Sequence, residues 1–391
     1  MTNSTLGDVA LKLQDGPFGS NLKSSHYVDE GVRVVRLQNI GSGHFDDRDQ
    51  AFISPEHFEK LQKHTCEAGD VLGATLGDPI LRAAIQPESL PVALNKADCI
   101  QLRCDPERAS PQYVTHYLNS SVAQAHAAGL AHGQTRPRVN LTQLRRLPVP
   151  LPPIEEQRRI AAVLDAADAL RAKRRQAIAK LDSLTQAVVA EAIDGMGRPV
   201  ALGDHVEFLT SGARGWAKYY SQAGTRFVRS LDVQMGSIGN SDVVLVEAPE
   251  SAEARRIRTA SGDVLLTITG SRIGRSAVVE PELAGSFISQ HVAIIRLKEA
   301  QVLPRFLSTW LIHPRFGQRQ IAKRQYGQTK PGLNFEQIRS FELPVPSIDK
   351  QRELMFQVDT IRSAHGAGEH SGGQLDALFA SLQQRAFRGE L

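Results

Sequence analysis

The sequence has few cysteines, few aromatic residues and no long apolar segment. Its 391 residues include three cysteines, Cys66, Cys99 and Cys104, whose odd number and spacing match neither a disulfide framework nor a zinc site. We therefore expect three small buried side chains in a protein of the reducing cytoplasm. No run of 18 apolar residues is present, so no membrane-spanning helix is expected. The N-terminal segment lacks the basic and apolar parts of a secretory signal.

Motifs of catalysis are also missing. Neither H-E-x-x-H nor paired C-x-x-C is present for a metal, and the twelve histidines do not cluster. Residues 269–276, TGSRIGRS, lack the lysine and the spacing of a phosphate-binding loop. An amino-methyltransferase needs an Asn/Asp/Ser-Pro-Pro-aromatic loop, whereas the one Pro-Pro pair, at 152–153, lies between Leu151 and Ile154. The sequence thus predicts no catalytic site, no metal site and no cofactor of its own.

What the sequence does contain is an internal repeat, because five segments of the first half recur in the second at an offset of about 193 to 196 residues. HGQTRPRVN at position 132 is followed by LPVPLPPIEEQRRI, and YGQTKPGLN at position 326 is followed by LPVPSIDKQREL. EAGDVLGATLGD matches ASGDVLLTITGS, and VRVVRLQNIGSG matches TRFVRSLDVQMGSI. A period of this length indicates two related domains rather than a solenoid.

The repeat divides the chain into four segments. Residues 1–150 and 196–345 are predicted to be two domains, and 151–195 and 346–391 the helical segments that follow them. Each domain has short apolar runs bounded by Gly, Pro, Asn and Asp, which are typical of strands and turns, and then a helical stretch. The runs are GVRVVRLQNI, DVLGATL, RFVRSLDV, GDVLLTITG and HVAIIRL. We therefore expect an α+β fold in each domain.

The segment after the first proline cluster is predicted to be one long helix. It has no Gly or Pro from 154 to 193, and apolar residues recur in alternating steps of three and four, with one break at Arg174. They are Ile160, Val163, Ala167, Leu170, Ala177, Leu181, Leu184 and Val188. The second copy has a similar apolar seam, interrupted by Gly366, Gly368, Gly372 and Gly373. We expect a break or kink there, because glycine weakens helices.

A helix with a single apolar stripe requires a partner, and the other copy of the helix is the natural one. The order domain, helix, domain, helix lets the two helices form an antiparallel coiled coil between two similar domains related by a pseudo-two-fold axis. Such an arrangement is typical of a dimeric DNA reader contained in one chain, with the helices setting the distance between half-sites. Deleting one heptad is expected to change that distance.

Positive charge is concentrated in one segment. Residues 196–345 carry 19 Lys and Arg against 13 Asp and Glu, whereas the whole chain has a net charge of +4. An excess of this kind favours contact with phosphates, and an ordinary solvated surface is the alternative.

The GQT-x-P loops at 133–137 and 327–331, with LPVPLPPIEEQRRIAAVLDAADAL and LPVPSIDKQRELMFQVDTI, resemble the specificity subunit of type I restriction-modification systems. The resemblance covers nearly the whole chain, and the doubled order of the motifs makes it specific. It implies two variable target-recognition domains, each followed by a helical conserved region, in a subunit without catalytic chemistry. Such a subunit holds two adenine-N6 methyltransferase subunits, and optionally two restriction subunits, on an asymmetric bipartite site in double-stranded DNA. S-adenosylmethionine would be bound by the methyltransferase subunits, and ATP and Mg by the restriction subunits.

Candidate DNA-binding residues lie at three places in each domain, because Arg, Lys, Asn and Gln suit base edges and phosphates. At the end of one strand they are Arg36, Gln38 and Asn39, and in the second domain Arg229. After the G-D-V strand they are Thr75 and Arg82, and Thr269, Arg272 and Arg275. In and beside the GQT-x-P loops they are Gln134, Arg136, Arg138 and Asn140, and Gln328, Thr329, Lys330 and Asn334. A purely structural turn is the alternative for these loops, because both copies keep the same Gly and Pro.

Candidate partner-binding residues follow the two proline clusters. They are Glu155, Glu156, Gln157 and Arg158, and Asp349, Lys350, Gln351 and Arg352. Their repetition argues against reading of two different DNA sequences and favours docking of the methyltransferase subunits. Helix capping is the alternative.

Two other functions remain open from the sequence. One is a tandem DNA-binding adaptor that recruits another effector in phage defence, and the other is a coiled-coil spacer whose ends bind proteins. Steep salt dependence and sensitivity to base changes would separate the DNA-binding functions from the spacer. Stable assembly with an adenine methyltransferase would separate the specificity subunit from the adaptor.

Overall fold

The computed structural model of the protein describes residues 2–131, 137–195, 197–298, 301–327 and 331–391. The chain forms two units: unit 1 contains Met1–Gln176 and His370–Leu391, and unit 2 contains Ala177–Glu369. Both units combine helices with antiparallel and mixed sheets, which confirms the predicted α+β class.

Unit 1 has eleven described strands in three sheets. They are β1 (Thr2–Thr5), β2 (Ala10–Asp15), β3 (Tyr27–Val28), β4 (Val32–Val35), β5 (Phe52–Ile53), β6 (Thr65–Glu67), β7 (Val71–Ala74), β8 (Arg82–Ile85), β9 (Val92–Asn95), β10 (Cys99–Cys104) and β11 (Pro148–Leu151). The strand orders are β2-β10-β7-β8, β3-β5-β4-β9-β6 and β1-β11. The helices are α1 (Pro55–Glu59), α2 (Pro111–Leu118), α3 (Ser121–Leu130) and α4 (Leu141–Arg145), and α5 (Ile154–Asp194) begins in this unit.

Unit 2 repeats this plan. Its strands are β12 (Val200–Ala201), β13 (Val206–Ser211), β14 (Tyr220–Ser221), β15 (Thr225–Val228), β16 (Val244–Val246), β17 (Val264–Thr267), β18 (Ser276–Val278), β19 (Phe287–Ile288), β20 (Val292–Leu297) and β21 (Glu342–Leu343). The helices are α6 (Ala252–Arg256), α7 (Pro304–Ile312), α8 (Arg319–Arg324), α9 (Phe335–Arg339) and α10 (Ile348–Arg388), which ends in unit 1. A π-helical turn, Pro314–Gln318, joins α7 to α8.

The sheets of the two units correspond strand by strand except for β6, which has no counterpart among the described strands of unit 2. The order β13-β20-β17-β18 repeats β2-β10-β7-β8, and β14-β16-β15-β19 repeats β3-β5-β4-β9. Even the one parallel pair recurs, because β4 pairs with β9 as β15 pairs with β19. The predicted apolar runs form strands that are shorter than the runs themselves, and the duplication read from the sequence is confirmed in the topology.

Helix α5 is continuous, as predicted, but its buried side differs from the predicted seam. Leu170 and Leu184 are 55% and 47% exposed, whereas Leu164 and Val189 are buried. The helix also packs against its globular domain, where Asp165 accepts a hydrogen bond from the His116 ring at 2.7 Å. Helix α5 packs against both its globular domain and the other long helix. Its buried side therefore differs from the stripe that the apolar spacing alone predicts.

Helix α10 is also continuous, so the predicted break at Gly366–Gly373 is wrong. The physical reason is tertiary packing, which overrides weak helix propensity. Gly368 lies so close to α5 that a Cβ there would be 3.2 Å from Ile178 Cγ1. In unit 2, Asp182 of α5 lies 3.2 Å from His365 of α10.

Within each unit the segments of α5 and α10 run antiparallel, as predicted. In unit 1, Arg171 Nε donates to Asp376 Oδ1 at 2.6 Å, and Ile160 shares a core with Phe387. In unit 2, Val189 shares a core with Val358. The helices therefore complete the hydrophobic core of each unit.

All three cysteines are free and buried, as predicted. Burial raises the pKa of the Cys66 thiol to about 12, so this thiol stays protonated. None of the described helices is both long enough and apolar enough to span a membrane.

Candidate nucleic-acid interface

Three loops in each unit carry the predicted DNA-binding residues. They are loop A, after β4 (36–50) and β15 (229–243); loop B, between β7 and β8 (75–81) and between β17 and β18 (268–275); and loop C, the GQT-x-P segment, described at 137–139 and 331–334.

In unit 1 the side chain of Arg82, the first residue of β8 after loop B, holds loop A in place. Its Nε donates to Ile40 O at 3.1 Å, and its Nη2 lies 3.5 Å from Leu37 O. Loop B is joined to loop C, since Val139 N donates to Thr75 O at 3.2 Å. The three loops therefore lie side by side, and Arg82 acts inside the loop cluster.

Unit 2 brings the same three loops together. Arg272 of loop B donates from Nη1 to Leu231 O in loop A at 3.2 Å. Gly270 N of loop B donates to Pro331 O in loop C at 3.0 Å. The sequence offset that relates the two domains thus also relates two clusters of loops.

The arginine at the start of loop A binds the far end of the same loop. Arg36 forms an ion pair with Asp49. In unit 2, Arg229 Nη2 lies 3.0 Å from carboxylate oxygens of both Asp232 and Asp242. Hydrogen bonding to Asp232 raises the pKa of Arg229 above its ordinary value. Both guanidinium groups are thereby engaged in fixing the shape of loop A.

Two of the predicted DNA-binding residues are buried, and the structure contradicts the prediction for them. Asn39 donates from Nδ2 to the carbonyl oxygens of Asp46 and Asp49 at 2.8 and 2.7 Å. Thr75 donates from Oγ1 to Asp98 O at 3.0 Å. A base edge cannot reach side chains that are buried and already bonded.

Two further candidates in loop B of unit 2 are half-buried. Arg275 Nη1 donates to Gln234 Oε1 at 2.5 Å, which ties loop B to loop A. The Thr269 hydroxyl is hydrogen-bonded to the His291 ring. Neither contact involves the exposed edge of the loop cluster.

Gln38 and Arg138 are exposed, as DNA-binding residues must be. The Arg138 side chain is 56% exposed, and its Nη1 is 3.8 Å from Asp98 Oδ1, so the ion pair is long. Arg272 is half-buried and keeps further donors beyond the one bond to Leu231. These three side chains can reach a ligand placed against the loops.

Several residues of loop C lie outside the described residues: Gln134, Arg136, Gln328, Thr329 and Lys330. The two asparagines that follow are described, and both begin a helix. Asn140 and Gln143 exchange side-chain to backbone hydrogen bonds of 2.9 Å, and Asn334 and Gln337 do the same at 2.8 Å. Each Oδ1 thus serves a helix cap, while both residues stay exposed, and base reading by these asparagines stays a prediction.

Exposed apolar residues also lie at these loops, and they were not among the predicted residues. Leu231 and Met235 of loop A in unit 2 are 49% and 50% exposed. They stand 193 residues after Gln38 and Ser42, so the repeat itself could have identified them. Tyr326, before loop C, is also exposed.

Most of the predicted partner-binding residues lie on the surface at the starts of α5 and α10. Arg158 Nη1 is 2.6 Å from Glu155 Oε1, and Arg352 Nη1 is 3.4 Å from Asp349 Oδ1, with all four side chains exposed. Lys350 is exposed as well. Acidic residues in the first turn also favour the helix N-terminus, so capping and docking are compatible here.

Gln157 differs from its neighbours because it is fully buried. Its Oε1 accepts from Ser110 N at 3.0 Å, and its Nε2 donates to the carbonyl oxygens of Arg108 and Pro152 at 2.8 and 2.9 Å. Glu156, half-buried, pairs with the following turn of the helix.

Gln351 has the same environment in unit 2. Its Oε1 accepts from Leu303 N at 2.8 Å, and its Nε2 donates to the carbonyl oxygens of Gln301 and Pro346 at 2.9 and 3.0 Å. The predicted docking role is therefore wrong for Gln157 and Gln351, because both fasten the helix to its domain and present no surface.

Apolar side chains on the long helices add to the exposed surface. Phe356 is 74% exposed, and Leu184 and Leu378 are about half exposed. Among the described residues there is no group of three or more His, Cys, Asp or Glu that could hold a metal ion.

The chain is similar to known proteins of type I restriction-modification systems. A family model for the type I restriction modification DNA specificity domain matches residues 2–181. The chain is 24% identical to the StySPI specificity subunit of Salmonella potsdam, over 94% of this chain and 84% of that protein. It is 23% identical to the EcoKI specificity subunit of Escherichia coli strain K12 over the same shares. Residues 2–181 thus match a type I specificity domain, and the chain as a whole is similar to type I specificity subunits.

Two solved structures share the fold. One, described as showing complex assembly and conformational transition of the type I R-M system, has a TM-score of 0.64 at 19% identity and covers 100% of this chain and 98% of that one. The type I S subunit from M. genitalium has a TM-score of 0.57 at 14% identity, covering 99% and 96%.

Proposed function

We propose that this chain recognises an asymmetric, bipartite site in double-stranded DNA, with one half-site for each unit. The observation that supports this function best is that both units assemble loops A, B and C on one framework but expose different side chains there. Gln38 in loop A corresponds to Leu231, and Pro79 in loop B corresponds to Arg272. Two unlike sets of reading residues would select two unlike sequences.

The exposed polar residues provide the chemistry that DNA requires. Arg138 and Arg272 have donors for phosphate oxygens or for guanine, and Gln38 has the amide that pairs with adenine. The internal ion pairs of loop A fix the backbone before DNA binds, which reduces the entropy lost on binding. The chain itself carries out no reaction in this proposal.

We further propose that two adenine-N6 methyltransferase subunits dock on the helical segments, with two restriction subunits as an optional addition. The exposed pairs Glu155 with Arg158 and Asp349 with Arg352 occur at equivalent places, as two copies of one partner would require. Phe356 and Leu184 supply exposed apolar area of the kind found at protein interfaces. S-adenosylmethionine would belong to the methyltransferase subunits, and ATP and Mg to the restriction subunits.

The primary test is a single-molecule map of methylated adenines in cells that co-express this chain with the methyltransferase encoded beside it. We expect one split motif with a fixed, unspecified gap. If the two proteins assemble and methylate DNA without such a motif, the bipartite reading is wrong. If they do not assemble at all, a DNA-binding adaptor for another effector becomes the better function.

A domain exchange tests whether the two units read independently. Replacing residues 198–340 with the same segment of another specificity subunit is expected to change one half of the motif and to leave the other half intact. The matched control replaces residues 1–150 and should change the opposite half. A change in both halves from either exchange would contradict independent reading.

A further inference from the structure

Loop A presents apolar side chains in unit 2 where it presents polar ones in unit 1. Leu231 and Met235 are each about half exposed, and the corresponding residues of unit 1 are Gln38 and Ser42. These two half-exposed side chains offer apolar surface that a ligand placed against the loops can cover.

Hydrogen bonds hold the backbone at Leu231, whereas its side chain is exposed to solvent. Its carbonyl oxygen accepts from Gln234 Nε2 at 2.8 Å and from Arg272 Nη1 at 3.2 Å. The next residue, Asp232, is buried and bound by Arg229 at 3.0 Å. A side chain on such a fixed backbone loses little further freedom when it meets a ligand.

Leu231 contacts Arg272 and belongs to the loop cluster that the proposed function assigns to DNA. Arg272, which contacts its carbonyl oxygen, is in loop B, and loop B is joined to loop C through Gly270 and Pro331. The 5-methyl group of thymine is the apolar group that a base pair presents in the major groove, and an aliphatic side chain can recognise it. An amide such as that of Gln38 recognises hydrogen-bonding edges instead.

We propose that Leu231 reads the 5-methyl group of a thymine in the half-site bound by unit 2. This inference rests on the proposed function, and it specifies one chemical feature of the DNA target. It makes Leu231 a specificity-determining residue for the half-site bound by unit 2.

The test uses the complex of the full chain with its methyltransferase and a DNA duplex that contains the mapped motif. Each thymine of the motif is replaced singly by deoxyuridine, which lacks only the methyl group, and the dissociation constant is measured for the wild type and for Leu231→Ala. One substitution, in one half-site, is expected to weaken binding by the wild type about fourfold, as for one buried methyl-sized group. The same substitution should leave binding by Leu231→Ala unchanged.

Matched variants separate this contact from other effects. Gln38→Ala should keep the full sensitivity to that deoxyuridine, because it alters the other unit. Leu231→Gln, which introduces the residue of unit 1, should lose the sensitivity as Leu231→Ala does. Neither change at Leu231 removes a charge, so the dependence of binding on salt should stay the same.

Two results would overturn the inference while leaving the proposed function intact: a motif in which no deoxyuridine weakens binding, or an effect of deoxyuridine equal in wild type and Leu231→Ala. In the second case Leu231 contributes through something other than the methyl group. Absence of any split motif would instead be a failure of the proposed function itself, and it is measured separately by the methylation map.

Discussion

Unit 1 and unit 2 agree in their buried polar contacts and differ in what their loops expose. Asp70 receives a bidentate bond from Arg103 at 2.8 and 3.0 Å, and Asp263 receives one from Arg296 at 2.7 and 2.8 Å. The exposed loop positions show no such agreement. A duplicated framework whose buried Asp–Arg pairs are hydrogen-bonded can therefore be kept while the exposed side chains of the loops change.

The largest expected effect comes from breaking that buried ion pair. Arg296→Met leaves the carboxylate of Asp263, which is almost fully buried, without its cation, and should lower the free energy of unfolding of unit 2 by about 3 to 5 kcal/mol. Arg103→Met should cost less in unit 1, because Asp70 keeps a 2.6 Å bond from Gln101 Nε2. Hydrogen exchange of β20 and β10 amides measures the two effects.

The exposed Arg352→Met is the matched control for these two variants, and it should change stability by less than about 0.5 kcal/mol. Equal losses for Arg103→Met and Arg296→Met would mean that the Gln101 bond contributes nothing.

The buried glutamines should give the next largest effect, and an equal one in both units. Gln157→Leu leaves Ser110 N–H and the carbonyl oxygens of Arg108 and Pro152 without their partner, at a cost of about 3 kcal/mol. Gln351→Leu removes the same three kinds of bond. Thermal denaturation with Arg158→Ala as the exposed control measures the loss, and clearly unequal losses would contradict an equivalent role.

These glutamines also show how far the sequence could predict the structure. The repeat revealed the duplicated α+β domains and the long helices, because periodicity and offset are local properties of a sequence. It also indicated that Gln157 and Gln351 share a role, but it did not show whether their side chains are buried or exposed. That depends on Ser110 and Leu303, which are distant in sequence.

The candidate site was predicted at the level of loops rather than of single residues. Gln38 and Arg138 are exposed and Arg272 is half-buried, and their contact with DNA stays a prediction. Asn39 and Thr75 are buried, which the sequence could not predict because their hydrogen-bond acceptors lie 7 to 23 residues away and no local pattern reports them. Residue type alone does not show whether a polar side chain contacts a base or forms hydrogen bonds that fix a loop.

The two units can also be compared by how much stability each loses at acidic pH, where a smaller effect is expected. Burial lowers the pKa of His64 in unit 1 and of His313 in unit 2 below the ordinary 6.5. The unfolded chain then binds more protons than the folded one, so each unit should lose stability as the pH falls through about 6.5. The residue corresponding to His313 in unit 1, at the offset of 193 residues, is Ser120. His313→Ser should therefore reduce the acid sensitivity of unit 2 and leave that of unit 1 unchanged, as hydrogen exchange at several pH values will show.

The smallest expected effect concerns the two long helices, of which α5 has no glycine and α10 has several. Gly366 and Gly373 have open space where a Cβ would lie, so alanine at either should stabilise the protein by about 0.5 to 1 kcal/mol through helix propensity. Gly368→Ala should gain less, because its Cβ would lie 3.2 Å from Ile178 Cγ1 and Ile178 would have to move. Differential scanning calorimetry measures the three shifts. Equal gains at all three glycines would mean that Gly368 is not held by α5, and that the continuity of α10 depends on something other than this contact.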